Sequence, residues 1–165
     1  MKKFFIVGMP ASGKSRLGKY ISSITNLIFL DLDNEIEKKL DTRVKDIFKI
    51  NGENFFRKIE TKTLKEIIEN KNNFILATGG GTPCFNENMS LINKSGISIF
   101  IDVSREILHE RISRNDKRPL LNGTFSIEMK LSDLYKERID YYKKSKYHVS
   151  KDIRNEVLSI INSYS

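Results

Sequence analysis

The run Gly8-Met9-Pro10-Ala11-Ser12-Gly13-Lys14-Ser15 carries the residues needed to hold a phosphate chain, at the spacing G-x-x-x-x-G-K-[ST] of the Walker A loop. Gly8 and Gly13 permit a tight turn and close approach of backbone to an anion. Successive N–H groups of Ala11, Ser12 and Gly13 form the cradle, and the N-terminus of the next helix adds its dipole. Lys14 is expected to reach the β- and γ-phosphates of a nucleoside triphosphate, with the Ser15 hydroxyl on Mg2+. Two carboxylates follow in Phe29-Leu30-Asp31-Leu32-Asp33. Spaced by two, they face one side if the chain stays extended. One then sits near Mg2+ and the other takes a proton from, or hydrogen-bonds, an acceptor hydroxyl. Asp33 also reads as an N-cap before Asn34-Glu35-Ile36, and both roles can coexist. In Thr78-Gly79-Gly80-Gly81 three successive glycines cost backbone entropy, which favours close approach to a ligand over packing alone. Arg57 and Arg138 are a pair suited to reading a carboxylate, and Glu60, three residues after Arg57, is placed to orient it. Taken singly, each arginine reads as a solvated helix cation in preference to a ligand contact.

These residues need a scaffold that brings strand ends together. Phe4-Phe5-Ile6-Val7, Leu27-Ile28-Phe29-Leu30 and Phe74-Ile75-Leu76-Ala77 are short apolar runs that read as buried parallel strands. Ile97 to Val103 reads as a fourth strand and Tyr147 to Val149 as a short fifth. Helical spacing joins Leu17, Tyr20, Ile21 and Ile24. Ile36, Leu40, Ile47 and Phe48 mark one or two short helices closed by Asn51-Gly52. A longer helix runs from about Glu53 to Glu69, with Phe56, Ile59, Thr63 and Ile67 on one face. Ser104 is expected to cap a helix through Arg114, and further helices run from about Ser126 to Ser145 and from about Asn155. The segment from Asn115 to Phe125, with Pro119 and Gly123, interrupts the rhythm. Strands alternating with helices indicate an α/β domain built on a central, mostly parallel five-stranded sheet, a single domain over residues 1–165. Strand ends in such a sheet open into one crevice, where the loops carrying these residues converge.

Composition narrows the chemistry. The 165 residues are 39% apolar and 30% charged, sufficient for one core. No apolar run is long enough for a membrane span, and the short run at residues 4–7 does not read as a signal peptide. One cysteine, Cys84, excludes an internal disulfide framework, and His109 and His148 add no metal-ligand pattern, so a reducing cytoplasm is expected. The net charge of +8 raises nucleic acid as a partner. Its 20 lysines, however, are scattered singly or in pairs, which reads as a solvated surface. A GTPase switch is disfavoured because Asn93-Lys94-Ser95-Gly96 has glycine where a guanine-reading aspartate belongs. A kinase of a small molecule or nucleotide is what remains.

Taken in order, the Walker A loop, Phe29-x-Asp31-x-Asp33, Gly52-Glu53-x-Phe55-Phe56-Arg57-x-x-Glu60, Ala77-Thr78-Gly79-Gly80-Gly81 and Arg118-Pro119-Leu120-Leu121 resemble the shikimate kinase family. The resemblance implies a three-layer α/β/α P-loop fold with a mobile lid at about 114–125 and an acceptor-binding region at about 33–61. It implies transfer of the γ-phosphoryl of ATP to the 3-hydroxyl of shikimate, with Mg2+. On that resemblance Asp33 contacts the shikimate hydroxyls and serves as base. Arg57 and Arg138 hold its carboxylate, and the backbone of Gly79, Gly80 and Gly81 closes the pocket. Asp31 binds Mg2+ through water beside Ser15, Arg118 swings onto the transferring phosphate, and Arg111 stacks on adenine. Arg16 and Arg154 complete the expected ATP contacts. A monomer is expected, with no nucleic acid or membrane partner. The alternatives are a gluconate or nucleoside monophosphate kinase of the same architecture, and a basic nucleotide- or nucleic-acid-binding module.

Overall fold

The computed structural model describes residues 2–114 and 127–164. Five strands, β1 (Lys3–Val7), β2 (Ile28–Asp31), β3 (Phe74–Ala77), β4 (Ile97–Ile101) and β5 (Tyr147–Val149), form one sheet in the order β2-β3-β1-β4-β5. Every pairing is parallel. Among the described residues, seven helices connect or follow them: α1 (Lys14–Ile24), α2 (Leu32–Leu40), α3 (Val44–Asn70), α4 (Asn88–Ser95), α5 (Arg105–Ser113), α6 (Ile127–Tyr142) and α7 (Ile153–Asn162).

The alternation of side chains along β1 makes the three layers. Phe5 and Val7 point into a core with Leu32, Ile36, Phe56, Leu64, Leu108 and Tyr142, whereas Phe4 and Ile6 point into a second core with Leu17, Ile21, Val157 and Ile161. A sheet covered on both faces reads as continuous apolar strands, and all four residues of β3 are buried accordingly. Among the described residues, no helix is long and apolar enough to cross a membrane.

The expected elements recur, with informative differences. β2 reads from sequence as buried, but it lies at the sheet edge with Ile28 59% exposed, Leu30 alone fully buried and Phe29 half-buried against the second core. β4 ends at Ile101, two residues early, because Asp102 and Val103 already form the loop into α5. The Asn51-Gly52 break is present inside α3: Gly52 takes φ 79° and ψ 171°, and helical geometry resumes beyond it. The buried side of that second stretch is Phe56, Arg57, Glu60, Thr63, Leu64 and Ile67, with Ile59 only half-buried. Ser104 caps α5 as expected, accepting from the Ile107 N–H at 3.5 Å. A 3-10 turn at Thr82–Cys84 and helix α4 carry too few apolar residues to show a period, and sequence reading passed over both.

Register decides where the site forms. Ile6 of β1 and Asp31 of β2 both pair with Ala77 of β3, so the three strands end level. Three loops therefore leave one edge side by side: residues 8–13, the entry into α2, and Thr78 to Gly81. Thr78 ties two of them together, its N–H and its Oγ1 both donating to the Ile6 carbonyl at 3.1 and 3.0 Å.

Candidate active site

The phosphate loop is built around three residues with positive φ, namely Gly8 (149°), Ala11 (64°) and Gly13 (93°). A Cβ on Gly8 would lie 2.8 Å from the Ile101 carbonyl oxygen, so the loop passes against β4 too closely for any side chain there. Ala11 in the left-handed region is strained for a residue with a Cβ, and such strain collects where backbone N–H groups must turn inward. Lys14 opens α1 and is 8% exposed. Its Nζ donates to the carbonyls of Gly8 and Met9 at 2.9 and 2.8 Å. The ammonium thus spans the mouth of the loop. Arg111, from α5, donates through Nη1 to the carbonyls of Ala11 and Ser12 at 3.2 and 3.1 Å, bracing the loop from outside.

The two aspartates divide their roles differently from a simple alternating pair. Asp31 ends β2 and is the N-cap of α2, its Oδ1 accepting from the N–H groups of Asp33 and Asn34. Asp33 is therefore not the cap; it lies in the first turn of α2. The other oxygen of Asp31 accepts a hydrogen bond from Ser15 Oγ at 2.5 Å, bringing a hydroxyl and a carboxylate together beside the phosphate loop. These are hard oxygen donors, one from the first turn of α1 and one from the end of β2, which fits Mg2+, an ion that takes one or two protein ligands and completes its shell with water and phosphate. Burial, then the charges of Asp31 and Glu60, push the Asp33 carboxyl up to about 6, while Lys14 pulls it down. An acid so tuned is ionised at neutral pH yet basic enough to accept a proton.

The three glycines are the centre on which the remaining groups meet. A Cβ on Gly79 would lie 3.1 Å from both Asp33 Oδ1 and Glu60 Oε1. On Gly80 it would lie 2.8 Å from Pro10 and 3.2 Å from Arg138 Nη1, and on Gly81 2.4 Å from Arg57 Nη2. The bare glycine strip thus has Asp33, Arg138 and Arg57 packed directly against its three residues. Tyr142, fully buried at the end of α6, donates its hydroxyl to the Gly80 carbonyl at 2.5 Å and fixes the strip. Burial holds its phenol above the ordinary range, so it remains a donor.

Arg57 is no solvated helix cation. Its side chain is 10% exposed and its guanidinium lies 4.1 Å from the centre of the Phe85 ring, with Phe56 and Phe48 at 5.3 and 5.8 Å. Nη1 donates to Glu60 Oε2 at 2.8 Å, and Nε and Nη2 donate to Glu53 Oε1 at 3.2 and 3.1 Å. Glu60, 1% exposed, is fixed in turn by Thr82 Oγ1 at 2.6 Å. Asn86 reaches back to α3, donating to the Arg57 carbonyl at 3.1 Å. The roles of Tyr142, Thr82, Asn86 and Phe85 were not read from sequence. Glu53 and Tyr142 were open to the same spacing rule that paired Glu60 with Arg57, since each stands four residues from a site arginine.

Other expected residues sit apart. Arg154 stacks on Tyr20, 4.9 Å from its ring centre, between α7 and α1. Arg16 is exposed in the first turn of α1. Cys84 lines the 3-10 turn, and burial raises its thiol to about 11, so it behaves as a packing residue. Among the described residues, no group of three or more His, Cys, Asp or Glu is arranged to hold a metal. Arg118 and the expected lid at about 114–125 lie, apart from Arg114, outside the described residues.

A family model described as shikimate kinase matches residues 10–164 of the chain. The chain is 42% identical over 153 residues to a shikimate kinase of Flavobacterium psychrophilum, covering 90% of this chain and 89% of the relative. It is 36% identical over 163 residues to a shikimate kinase of Azobacteroides pseudotrichonymphae, covering 96% of each. Its fold superposes on that of the shikimate kinase from Acinetobacter baumannii in complex with shikimate, with a TM-score of 0.90, 30% identity, and coverage of 100% of this chain and 95% of that one. A Walker A loop and two arginines that meet on a bare glycine strip thus occur in a chain that belongs to the shikimate kinase family.

Proposed function

We propose that this chain transfers the γ-phosphoryl of ATP to the 3-hydroxyl of shikimate, giving shikimate 3-phosphate and ADP. The observation that carries this reading is the convergence of Asp33, Arg57 and Arg138 on Gly79, Gly80 and Gly81, beside the Walker A loop. A hydroxylated ring acid needs a carboxylate anchor at one end and a hydroxyl acceptor at the other, and this strip carries both. Gluconate and nucleoside monophosphates also offer an anionic group to Arg57 and Arg138, so acceptor preference is what separates the readings.

Phosphoryl transfer requires little covalent work from the protein; it requires positioning and charge. Ala11, Ser12 and Gly13 hold the phosphates through backbone N–H groups, and Lys14 moves from the Gly8 and Met9 carbonyls onto the phosphate oxygens. Ser15 and Asp31, the latter through water, would hold Mg2+. When bound, the ion neutralises charge on the phosphate chain. Asp33 orients the acceptor hydroxyl and accepts its proton. Arg57 and Arg138 grip the carboxylate, and the rigid surroundings of Arg57 make that grip directional. Arg111, which braces the loop, and on the family resemblance Arg16 and Arg154 complete the proposed nucleotide contacts. On the family resemblance, Arg118 supplies positive charge to the transferring group.

Product analysis tests the regiochemistry. In phosphorus–proton correlation spectra of the product from shikimate and Mg-ATP, the new phosphate ester is expected to couple to the proton at carbon 3. Coupling at carbon 4 or 5 would show that the ring lies in the cradle in another orientation. The glycine strip gives a further expectation. In Gly81→Ala the new methyl must displace the Arg57 guanidinium, at an overpacking cost of about 1–3 kcal/mol. The KM for shikimate is expected to rise roughly tenfold or more, with the KM for ATP nearly constant, as steady-state kinetics would show.

A further inference from the structure

The five N–H donors of a guanidinium form forks that match a carboxylate, and recognition is strongest when one edge is free to receive both oxygens. Arg57 presents a different picture. Glu53 holds the Nε and Nη2 edge through a single oxygen, at 3.2 and 3.1 Å, and Glu60 holds Nη1 at 2.8 Å. One cation with two carboxylates makes a unit of net −1, so an incoming carboxylate meets repulsion as well as an occupied edge.

The two glutamates differ in what it takes to move them. Glu60 is 1% exposed and locked by Thr82, so releasing it leaves a buried charge unpaired. Glu53 is 54% exposed and one residue past the Gly52 break, where no atom comes within 4 Å of a Cβ built on that glycine. Its carboxylate can turn into water at small cost, because half-exposed ion pairs are weak.

We propose that Glu53 is an internal competitor for the substrate carboxylate, occupying the Nε and Nη2 edge of Arg57 until shikimate displaces it. This rests on shikimate as the acceptor. Glu53 keeps Arg57 matched in the substrate-free protein and shields it from other anions, including the phosphates of ATP bound at the neighbouring loop. It is thereby a specificity-determining residue: only an acid that also gains the Arg138 and Asp33 contacts repays its removal.

Calorimetric titration of the full-length wild type, Glu53→Gln and Glu53→Asp with shikimate tests this. The amide is a weaker occupant of the edge, and the shorter acid keeps the charge but loses reach. Both variants are expected to bind shikimate about two- to fivefold more tightly than wild type. In kinetics the gain should fall on KM. For shikimate methyl ester, which brings no carboxylate to Arg57, kcat/KM should be the same in all three proteins. Weaker binding by Glu53→Gln would overturn the proposal and make Glu53 a positioning residue for Arg57. Tighter binding by Glu53→Gln but not by Glu53→Asp would also overturn it, by showing a through-space effect of charge and not competition for an edge. A wild type that binds no shikimate would instead overturn the assignment of the acceptor.

Discussion

Replacing Asp33 with asparagine is expected to stabilise the protein while nearly abolishing turnover. The carboxyl is pushed up to about 6 by burial and by the neighbouring Asp31 and Glu60 charges, against 3.8 unperturbed. Because the folded pKa is the higher one, the native state binds more protons than the unfolded state between about pH 4 and pH 6. Stability from this group is fully present below the unfolded value and is lost as pH rises through the folded value. At pH 7.5 the ionised Asp33 therefore costs on the order of 3 kcal/mol, a cost that asparagine removes. For a chain of this size that is a rise in melting temperature of roughly 6–12 °C, readable by calorimetry. The same substitution removes the proton acceptor, for which losses of about 10²–10⁴ in kcat are typical, while ATP affinity should survive. Wild-type kcat should fall as pH drops through about 6, following the protonation of Asp33. A variant that is neither more stable nor slower would separate Asp33 from the chemistry.

Arg57→Ala has the largest effect expected on both binding and stability. Removing one partner of a buried, hydrogen-bonded charge pair at a binding surface costs about 2–5 kcal/mol, or roughly 30-fold to several thousandfold in shikimate affinity. It also leaves Glu60, 1% exposed, without its ion-pair partner, a loss on the order of 3–5 kcal/mol in folding stability. Adding Glu60→Gln separates the two consequences. The double variant should recover most of the stability, because the stranded charge is gone, and none of the shikimate affinity. Equilibrium denaturation and calorimetric titration on the same preparations give both numbers. Recovery of affinity along with stability would mean that Arg57 shapes the cradle and does not contact the acid.

Much of this molecule was legible in its residues, for physical reasons that can be named. The loop from Gly8 to Ser15, β3 and the Gly52 break could be read because fixed backbone geometry or continuous burial leaves few residue types at those positions. The convergence of Asp33 and the glycines followed from the rule that parallel strand ends share a crevice, and the level register of Ile6, Asp31 and Ala77 is how the chain meets it, whereas Arg57 and Arg138, on helices, were placed with them only by the family resemblance. What escaped was set by tertiary neighbours. The exposure of β2 depends on which strand lies at the edge, and strand order is not written in β2. Asp31, and not Asp33, caps α2 because the helix begins at Leu32, before the extended chain has run on far enough for alternation to hold. The Tyr142 bond to Gly80 joins residues 62 positions apart, and the Phe85 ring over Arg57 is brought there by a turn with no periodic signature.

Release of ADP from Mg-ATP by the purified protein, measured with shikimate, quinate, gluconate and nucleoside monophosphates as separate acceptors, tests the central assignment most directly. ADP formation is expected to be stimulated by shikimate far more than by gluconate or any nucleoside monophosphate. Folded protein that binds ATP yet shows no stimulation by shikimate, or that prefers gluconate or a nucleotide, would contradict it.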